Sequence, residues 1–427
     1  MLRRMTDIQT DAPAASAAAP SPVTAPASVT GALPEIRLQT GRHKRVRGGH
    51  PWVYSNEVQM DAAAKALPPG GLVRLVSDNG KRLGVATFNP HPLISARLLS
   101  TDPDAVVDAD FIATRLARAL AIRDALYPAP FYRLVHAEAD GLPGLIADRY
   151  GDTMVLQVNT AGMEALMPAI LEALDRIVAP TNVLLRNDMP VRSLEGLDAK
   201  VEVAKGAVDG PLELTENGCT FFADPIGGQK TGWFFDQRDN RAFAAALAKG
   251  RRVADFYCYT GGFSVPAAMA GAAHVTGFDR SQPALDLAAR AAAANGVAER
   301  CSFTRGESFA LLQDLATAGE LFDMVIVDPP AFVKSKKDIH AGARGYRKLA
   351  RLAAALVAPD GILLCASCSH HIDAPTFGDQ VRHGIADMRR TGRILRSAGA
   401  APDHPVHPFL PESAYLKFLA LRLDPGA

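Results

Sequence analysis

The second half of this sequence predicts an α/β fold built on a parallel sheet, and three observations carry that prediction. From about residue 216, the pattern changes to apolar runs alternating with Ala-rich helical stretches of roughly 10–15 residues. Each apolar run ends in a small, acidic or thiol residue. The turn after the first run, "DFYCYTGGFS", places paired glycines where a helix opens. Strands alternating with helices of that length imply a parallel sheet covered on both faces. Ligands in such sheets sit at the carboxyl ends of the strands.

The elements follow in order. "RRVADFYCY" leads into the helix "SVPAAMAGA", "HVTGFDRS" into "PALDLAARAAAANG", and "CSFTRGES" into "FALLQDLATAGE". "FDMVIVDPP" leads into "GYRKLARLAAALVAPDG", and a fifth strand follows at "GILLCAS". Upstream, "EIRLQ", "GGLVRLVSDNG", "KRLGVATFNP" and "PLISARLLS" read as short strands of a β-rich module, with "DNG" as a hairpin signal. A helix is predicted at "ADFIATRLARALAIRDALY", its apolar face carrying Phe111, Leu116, Leu120 and Ile122. Strands at "LPGLIADRYG" and "TMVLQVN", a helix at "MEALMPAILEALDRIV", and strands at "NVLLRND" and "KVEVAKG" complete a connecting α/β segment. The expected boundaries are a tail over 1–31, a β-rich domain over 32–105, a central domain over 106–215 and the parallel-sheet domain over 216–427.

Composition narrows the class. Hydrophobic residues at 48% and charged residues at 21% of 427 suit a globular protein with ample core. The net charge is +1, so any nucleic-acid contact must come from a local basic patch. "MLRRM" is basic, but the Ala/Pro/Ser-rich stretch after it lacks the apolar segment of a signal peptide and reads as disordered. No apolar run approaches the roughly 20 residues that span a bilayer. Five scattered cysteines (Cys219, Cys258, Cys301, Cys365 and Cys368) argue against a disulfide framework and suit a reducing cytoplasm.

The strand ends suggest a cofactor. Gly261 and Gly262 allow close backbone approach at a helix N-terminus, yet G-x-G-x-x-G is missing, which disfavours a dinucleotide. Asp279, 24 residues after Asp255, stands where a carboxylate commonly accepts both hydroxyls of a ribose; the alternative is a helix cap. Glu307 could accept from an adenine amine, and Asp255 could meet a cationic amino-acid end. Together these residues fit S-adenosylmethionine better than NAD.

The other strand ends suggest the chemistry. In "VDPPAF", Asp328 precedes Pro329 and Pro330, a stiff turn able to hold a carboxylate and carbonyls against a planar base, with Phe332 available to stack. Cys365 falls within the strand, where a thiol acts as a small hydrophobe, whereas Cys368 lies past its end. Zinc would need two further ligands, and a redox pair would need to open a helix. A thiolate beside a methyl donor has a specific use: added to carbon 6 of a pyrimidine, it makes carbon 5 nucleophilic enough to take a methyl group. Asp328 would then support protonation at N3. An inert loop cysteine is the plain alternative. Near the N-terminus, "GRHKRVRGGHPW" interleaves Arg42, His43, Lys44, Arg45 and Arg47 with glycines and Trp52, a pattern suited to RNA phosphates and bases.

These residues resemble the bacterial large-subunit ribosomal RNA cytosine-5 methyltransferases that join a PUA domain to a class I methyltransferase domain. "GRHKRVRGGHPWVYSNEV", "AEADGLPGLIADRYGD", "GQKTGWFFDQRDNR", "YCYTGGFSV", "DPPAFVKSK", "SCSH" and "DHPVHPFLPESAYLKFLALRL" follow in family order. The resemblance implies a Rossmann-like, mostly parallel seven-stranded sheet, preceded by a PUA domain and a small α/β domain. It implies S-adenosylmethionine as cofactor, ribosomal RNA as partner, no metal, and admits a homodimer. It also implies cofactor contacts at Asp255, Tyr259, Thr260, Gly261 and Gly262, at Asp279 with Arg280, at Glu307 with Ser308, and at Asp328. Lys230, Gln237 and Arg238 would line the same pocket, with Arg238 facing RNA, and Cys368 would be the nucleophile. Many RNA cytosine-5 methyltransferases carry a second cysteine directly after the fourth-strand proline; here Pro330–Ala331 stands there, leaving the base for product release unassigned. Two other functions fit a similar sheet: methylation of a guanine or adenine nitrogen, which needs no thiol, and a noncatalytic RNA-binding assembly factor.

Overall fold

The computed structural model describes residues 32–333 and 335–425; the expected tail lies outside the described residues. The first sheet contains β1 (Glu35–Arg37), β2 (Trp52–Tyr54), β3 (Gly71–Val76), β4 (Arg82–Phe88) and β5 (Ile94–Ser100), in the order β1-β3-β4-β5-β2. The β3–β4 turn is the predicted hairpin. Ser77 N–H donates to Lys81 O at 2.9 Å, and Gly80 takes the left-handed conformation (φ +79°) that such a loop requires. The basic run is partly helical, over His43–Arg47, with Val46 buried beneath it.

The second sheet contains β6 (Phe131–His136), β7 (Leu145–Tyr150), β8 (Thr153–Val158), β9 (Asn182–Asn187) and β10 (Lys200–Lys205), in the order β10-β9-β8-β7-β6. Sequence reading missed β6, because Arg133 and His136 interrupt its apolar pattern. Tertiary pairing overrides that local polarity: Arg133 is held bidentately by buried Asp148, with nitrogen–oxygen distances of 2.8 and 2.9 Å. The helix Ala109–Leu126 buries Ile112, Ala113, Leu116, Ala119 and Arg123, while Ile122 is 53% exposed. The expected face is thus rotated, because Arg123 turns inward to pair with Asp140.

A hairpin of β11 (Leu212–Glu216) and β12 (Cys219–Ala223) precedes the largest sheet. That sheet contains β13 (Arg252–Phe256), β14 (His274–Asp279), β15 (Cys301–Arg305), β16 (Phe322–Val327), β17 (Val357–Ser367), β18 (Gly392–Ala398) and β19 (Lys417–Leu423). Its order is β15-β14-β13-β16-β17-β19-β18, with β19 antiparallel to both neighbours and the pairings among β13–β17 all parallel. Both faces are covered. Met324 and Ile326 pack on one side with Val265, Ala267 and Ala291, while Val325 and Val327 pack on the other with Leu349 and Ala353. This is the period-2 alternation of a fully buried strand. The fourth crossover helix runs over Ile339–Leu356; it begins earlier than the sequence suggests and stops before Pro359, which cannot continue a helix. The order reverses between β13 and β16, and the crevice above that point holds the site.

Candidate active site

A cavity of about 530 Å³ opens above the carboxyl ends of β13 to β17, within the size range of small-molecule and cofactor pockets. Asp279 ends β14 and is held by two backbone donors: Tyr259 N–H reaches one oxygen at 3.0 Å and Ser281 N–H the other at 2.9 Å. Ser281, not Asp279, caps the following helix by accepting from Ala284 N–H. The capping alternative is thereby excluded, and Asp279 keeps lone pairs for the cavity it lines. Tyr257 and Tyr259 both have positive φ (+64° and +51°), strained for non-glycine residues, and this twist aims the Tyr259 amide at the carboxylate. Arg280, Glu307 and Ser308 line the same wall, with Tyr257 and Phe309 as aromatic neighbours that the sequence reading did not single out.

Asp255, Thr260, Gly261 and Gly262 do not line the cavity; they sit beneath it. Asp255 is fully buried and accepts from Ser264 Oγ at 2.6 Å, and burial pushes its carboxyl up to about 7. Gly262 makes room for a protein side chain: a Cβ there would lie 2.7 Å from Arg241 Nε. Arg241 pairs with buried Glu216 at 2.8 Å and lies 4.3 Å over the Trp233 ring. The glycine turn therefore supports the site from below, because the space above Gly262 is filled by that guanidinium.

The opposite wall carries the reactive groups. Gln237 Nε2 donates to Asp328 at 3.0 Å, and Asn240 orients Gln237 by donating to its carbonyl at 2.8 Å. Burial, then the charge of Asp236, pushes Asp328 up to about 7. Pro329, Pro330, Ala331 and Phe332 continue the wall, and Phe332 is braced 4.7 Å from the Tyr346 ring. Cys368 faces the same space with its Sγ 3.9 Å from Pro329 O, whereas Cys365 is buried in the core below. The residues flanking Cys368 are pinned: Ser367 donates to the Tyr346 hydroxyl at 2.9 Å, and Ser369 pairs with that hydroxyl at 2.8 Å. Burial pushes the Cys368 thiol up, Asp328 and Asp236 push in the same direction, and Lys230 and Lys417 oppose them. Lys230 lines the cavity. Arg238 does not: it is buried, donates to Phe131 O and lies 4.3 Å over the Tyr127 ring. The reading of Arg238 as an RNA-facing residue is corrected to a structural tie between β6 and the helix that follows Gln237.

The region matching a family model described as "S-adenosylmethionine-dependent methyltransferase" is 193–395, and residues 36–101 match a "PUA-like domain". "Ribosomal RNA large subunit methyltransferase I" of Photobacterium profundum is 38% identical over 391 residues, covering 90% of this chain and 98% of that protein. Its counterpart in Aeromonas hydrophila is 37% identical over 394 residues, covering 91% and 98%. The chain belongs to the ribosomal RNA large subunit methyltransferase I family. The fold is also that of SMU.776, a candidate methyltransferase solved with SAH: TM-score 0.79, 20% identity, 91% of this chain and all of that one. A candidate SAM-dependent methyltransferase from Streptococcus mutans matches with TM-score 0.77 at 20% identity, over the same shares.

The family's cofactor suits this cavity on chemical grounds. A carboxylate fixed by two amides matches a vicinal diol, and the aromatic flank matches a purine. The basic segment lies elsewhere: Arg42, Lys44 and Arg47 are exposed on the matched PUA-like region. Arg45 is instead tied to Glu57 at 2.7 Å and to Trp52 O at 3.0 Å, and Trp52 donates to Glu138 at 2.8 Å. Sequence reasoning also missed Asp236, Phe234, His370 and Leu416, which line the cavity. Asp236 was within reach, since it sits in "GQKTGWFFDQRDNR" directly before Gln237.

Proposed function

We propose that this chain methylates carbon 5 of a cytosine in large-subunit ribosomal RNA through a covalent bond to Cys368, and does so in the cytoplasm. One observation carries the reading: Cys368, Asp328 and Asp279 share one cavity. A nitrogen methyltransferase has no use for a thiol at that wall. S-adenosylmethionine supplies an electrophilic methyl group when bound, and Asp279, Arg280, Glu307, Ser308, Tyr259 and Lys230 are the residues to hold it, while Gln237 on the same wall orients Asp328. Cys368, as thiolate, adds to carbon 6. Asp328, whose raised pKa keeps a proton available near neutrality, supports protonation at N3. Pro329, Pro330 and Phe332 hold the ring, which must leave its stack to reach them.

Arg42, Lys44 and Arg47 would grip phosphates, with Arg45 and Trp52 shaping that surface. The domain boundaries 32–105, 106–215 and 216–427 then separate RNA gripping, connection and chemistry. The test is a ribosomal RNA fragment carrying 5-fluorocytosine, from which no carbon 5 proton can leave. The wild type should form a denaturation-resistant complex with it, and Cys368→Ala should form none. Equal yields from the two proteins would end the proposal.

A further inference from the structure

The reaction above still needs a group to take the carbon 5 proton. Among the described residues, Cys368 is the only thiol that lines the cavity, and it is already engaged as the nucleophile. Asp236 is 6% exposed and lines the cavity. One of its carboxylate oxygens accepts from the Tyr415 hydroxyl at 2.5 Å, while the other is buried with no hydrogen-bond partner. A buried carboxylate oxygen left without a donor is costly and rare unless something else comes to meet it. Its neighbour in sequence, Gln237, is the residue that holds Asp328. The two carboxylates therefore enter the cavity from one short segment and its hydrogen-bond partner.

We infer that Asp236 is the base that removes the carbon 5 proton and so releases the methylated product. This rests on the cytosine-5 reading. The balance is simple. Cys368 Sγ bonds to carbon 6, and carbon 5 takes the methyl group as the donor's sulfonium–methyl bond breaks. Asp236 Oδ1 then takes the carbon 5 proton, the C–H electron pair re-forms the C5–C6 double bond, and the C6–S bond breaks to return the thiolate. N3 gives its proton back to Asp328.

The environments divide the labour. Burial tends to raise Asp236, but His404, Lys230, Arg133 and the Tyr415 hydroxyl outweigh it and hold this carboxyl below its usual range. Asp328 is pushed the other way. Two carboxyl groups driven apart in this manner are suited to opposite proton-transfer roles. His370 also lines the cavity, but its ring is stacked on Tyr415 at 5.1 Å and its Nδ1 is turned toward Glu412 O at 3.4 Å.

The test uses full-length protein, S-adenosylmethionine, and large-subunit ribosomal RNA from cells lacking the gene, with ordinary cytosine. Asp236→Asn should transfer one methyl group per enzyme and then stall as a methylated covalent complex, with release slowed about 10²-fold or more. Asp236→Glu should restore release in part. Should Asp236→Asn misfold, Tyr415→Phe provides the second measurement. With tritium at carbon 5, methyl transfer should run ahead of tritium release in Tyr415→Phe, whereas the two keep step in the wild type. Release from Asp236→Asn at the wild-type rate overturns the assignment. So does a stalled complex in His370→Gln but not in Asp236→Asn, or tritium release in step with methyl transfer in Tyr415→Phe. A wild type that never bonds to 5-fluorocytosine RNA sinks the cytosine-5 reading itself, not merely the choice of base.

Discussion

Gln237 reaches across 91 residues of sequence to hold the carboxylate of Asp328, and Asn240 in turn holds Gln237. This fixes which oxygen of Asp328 is engaged and which is left for a substrate. Gln237→Ala should lower kcat by roughly tenfold, the equivalent of one hydrogen bond at about 1.4 kcal/mol, with little change in S-adenosylmethionine affinity. Steady-state kinetics beside calorimetry separates the two. A loss confined to cofactor affinity would assign Gln237 to the cofactor instead.

The two cysteines of "CASC" should behave oppositely. Cys368→Ala should cut turnover by at least about 10³-fold while leaving cofactor binding and melting temperature near wild type. Cys365, in the core between sheet and helices, should respond in stability: Cys365→Ala should cost about 1 kcal/mol and retain activity. Thermal melts and methyl-transfer assays on both variants decide it.

Asp255 and Asp328, both pushed up to about 7, carry a stability consequence. An unfolded aspartate loses its proton near pH 4, so between about 4 and 7 the native state binds more protons than the unfolded chain. Their contribution to stability is therefore fully present below about pH 4 and is lost as pH rises through about 7. Asp255→Asn keeps a partner for Ser264 and removes the titration. Its melting temperature should exceed that of the wild type by about 2–4 °C at pH 8, and the gap should close toward pH 5. A gap independent of pH would refute the burial account.

Gly262→Ala tests what the glycine turn serves. The added methyl would press on Arg241, which is bound to Glu216, so the expected loss is about 1–3 kcal/mol in stability. Denaturant unfolding measures it, and calorimetry should find cofactor affinity within about twofold of wild type.

The basic helix divides in two. Replacing Arg42, Lys44 and Arg47 together by Ala should weaken RNA binding and flatten its salt dependence by about 2–3 units of log–log slope. Arg45→Ala should instead lower the melting temperature, because Arg45 is spent on Glu57, Trp52 O and the Tyr54 ring at 4.3 Å. Filter binding across a salt series reads the first effect, and a thermal melt reads the second.

Much of the fold was legible because strand and helix periods are local. Each of β13 to β17 was visible as a strand, with Asp279 at the end of its strand and Asp328 and Cys368 just past theirs. β6 was not visible, since Arg133 stays in a strand only because Asp148, on the neighbouring strand, neutralises it. Arg238 was misread for the same kind of reason: nothing local says that its guanidinium will find Tyr127 and Phe131 O.

By itself the sequence determined the alternation of elements, and with it the crevice where an acid, a stiff turn and a thiol converge. Tertiary structure alone decided which polar groups face that crevice. It sank Asp255 and the glycine pair below the floor and raised Asp236 to the wall with one oxygen unpaired. The physical reason is that side-chain direction depends on contacts from distant segments, such as Arg241 over Gly262 and Tyr415 on Asp236, and no local period encodes these.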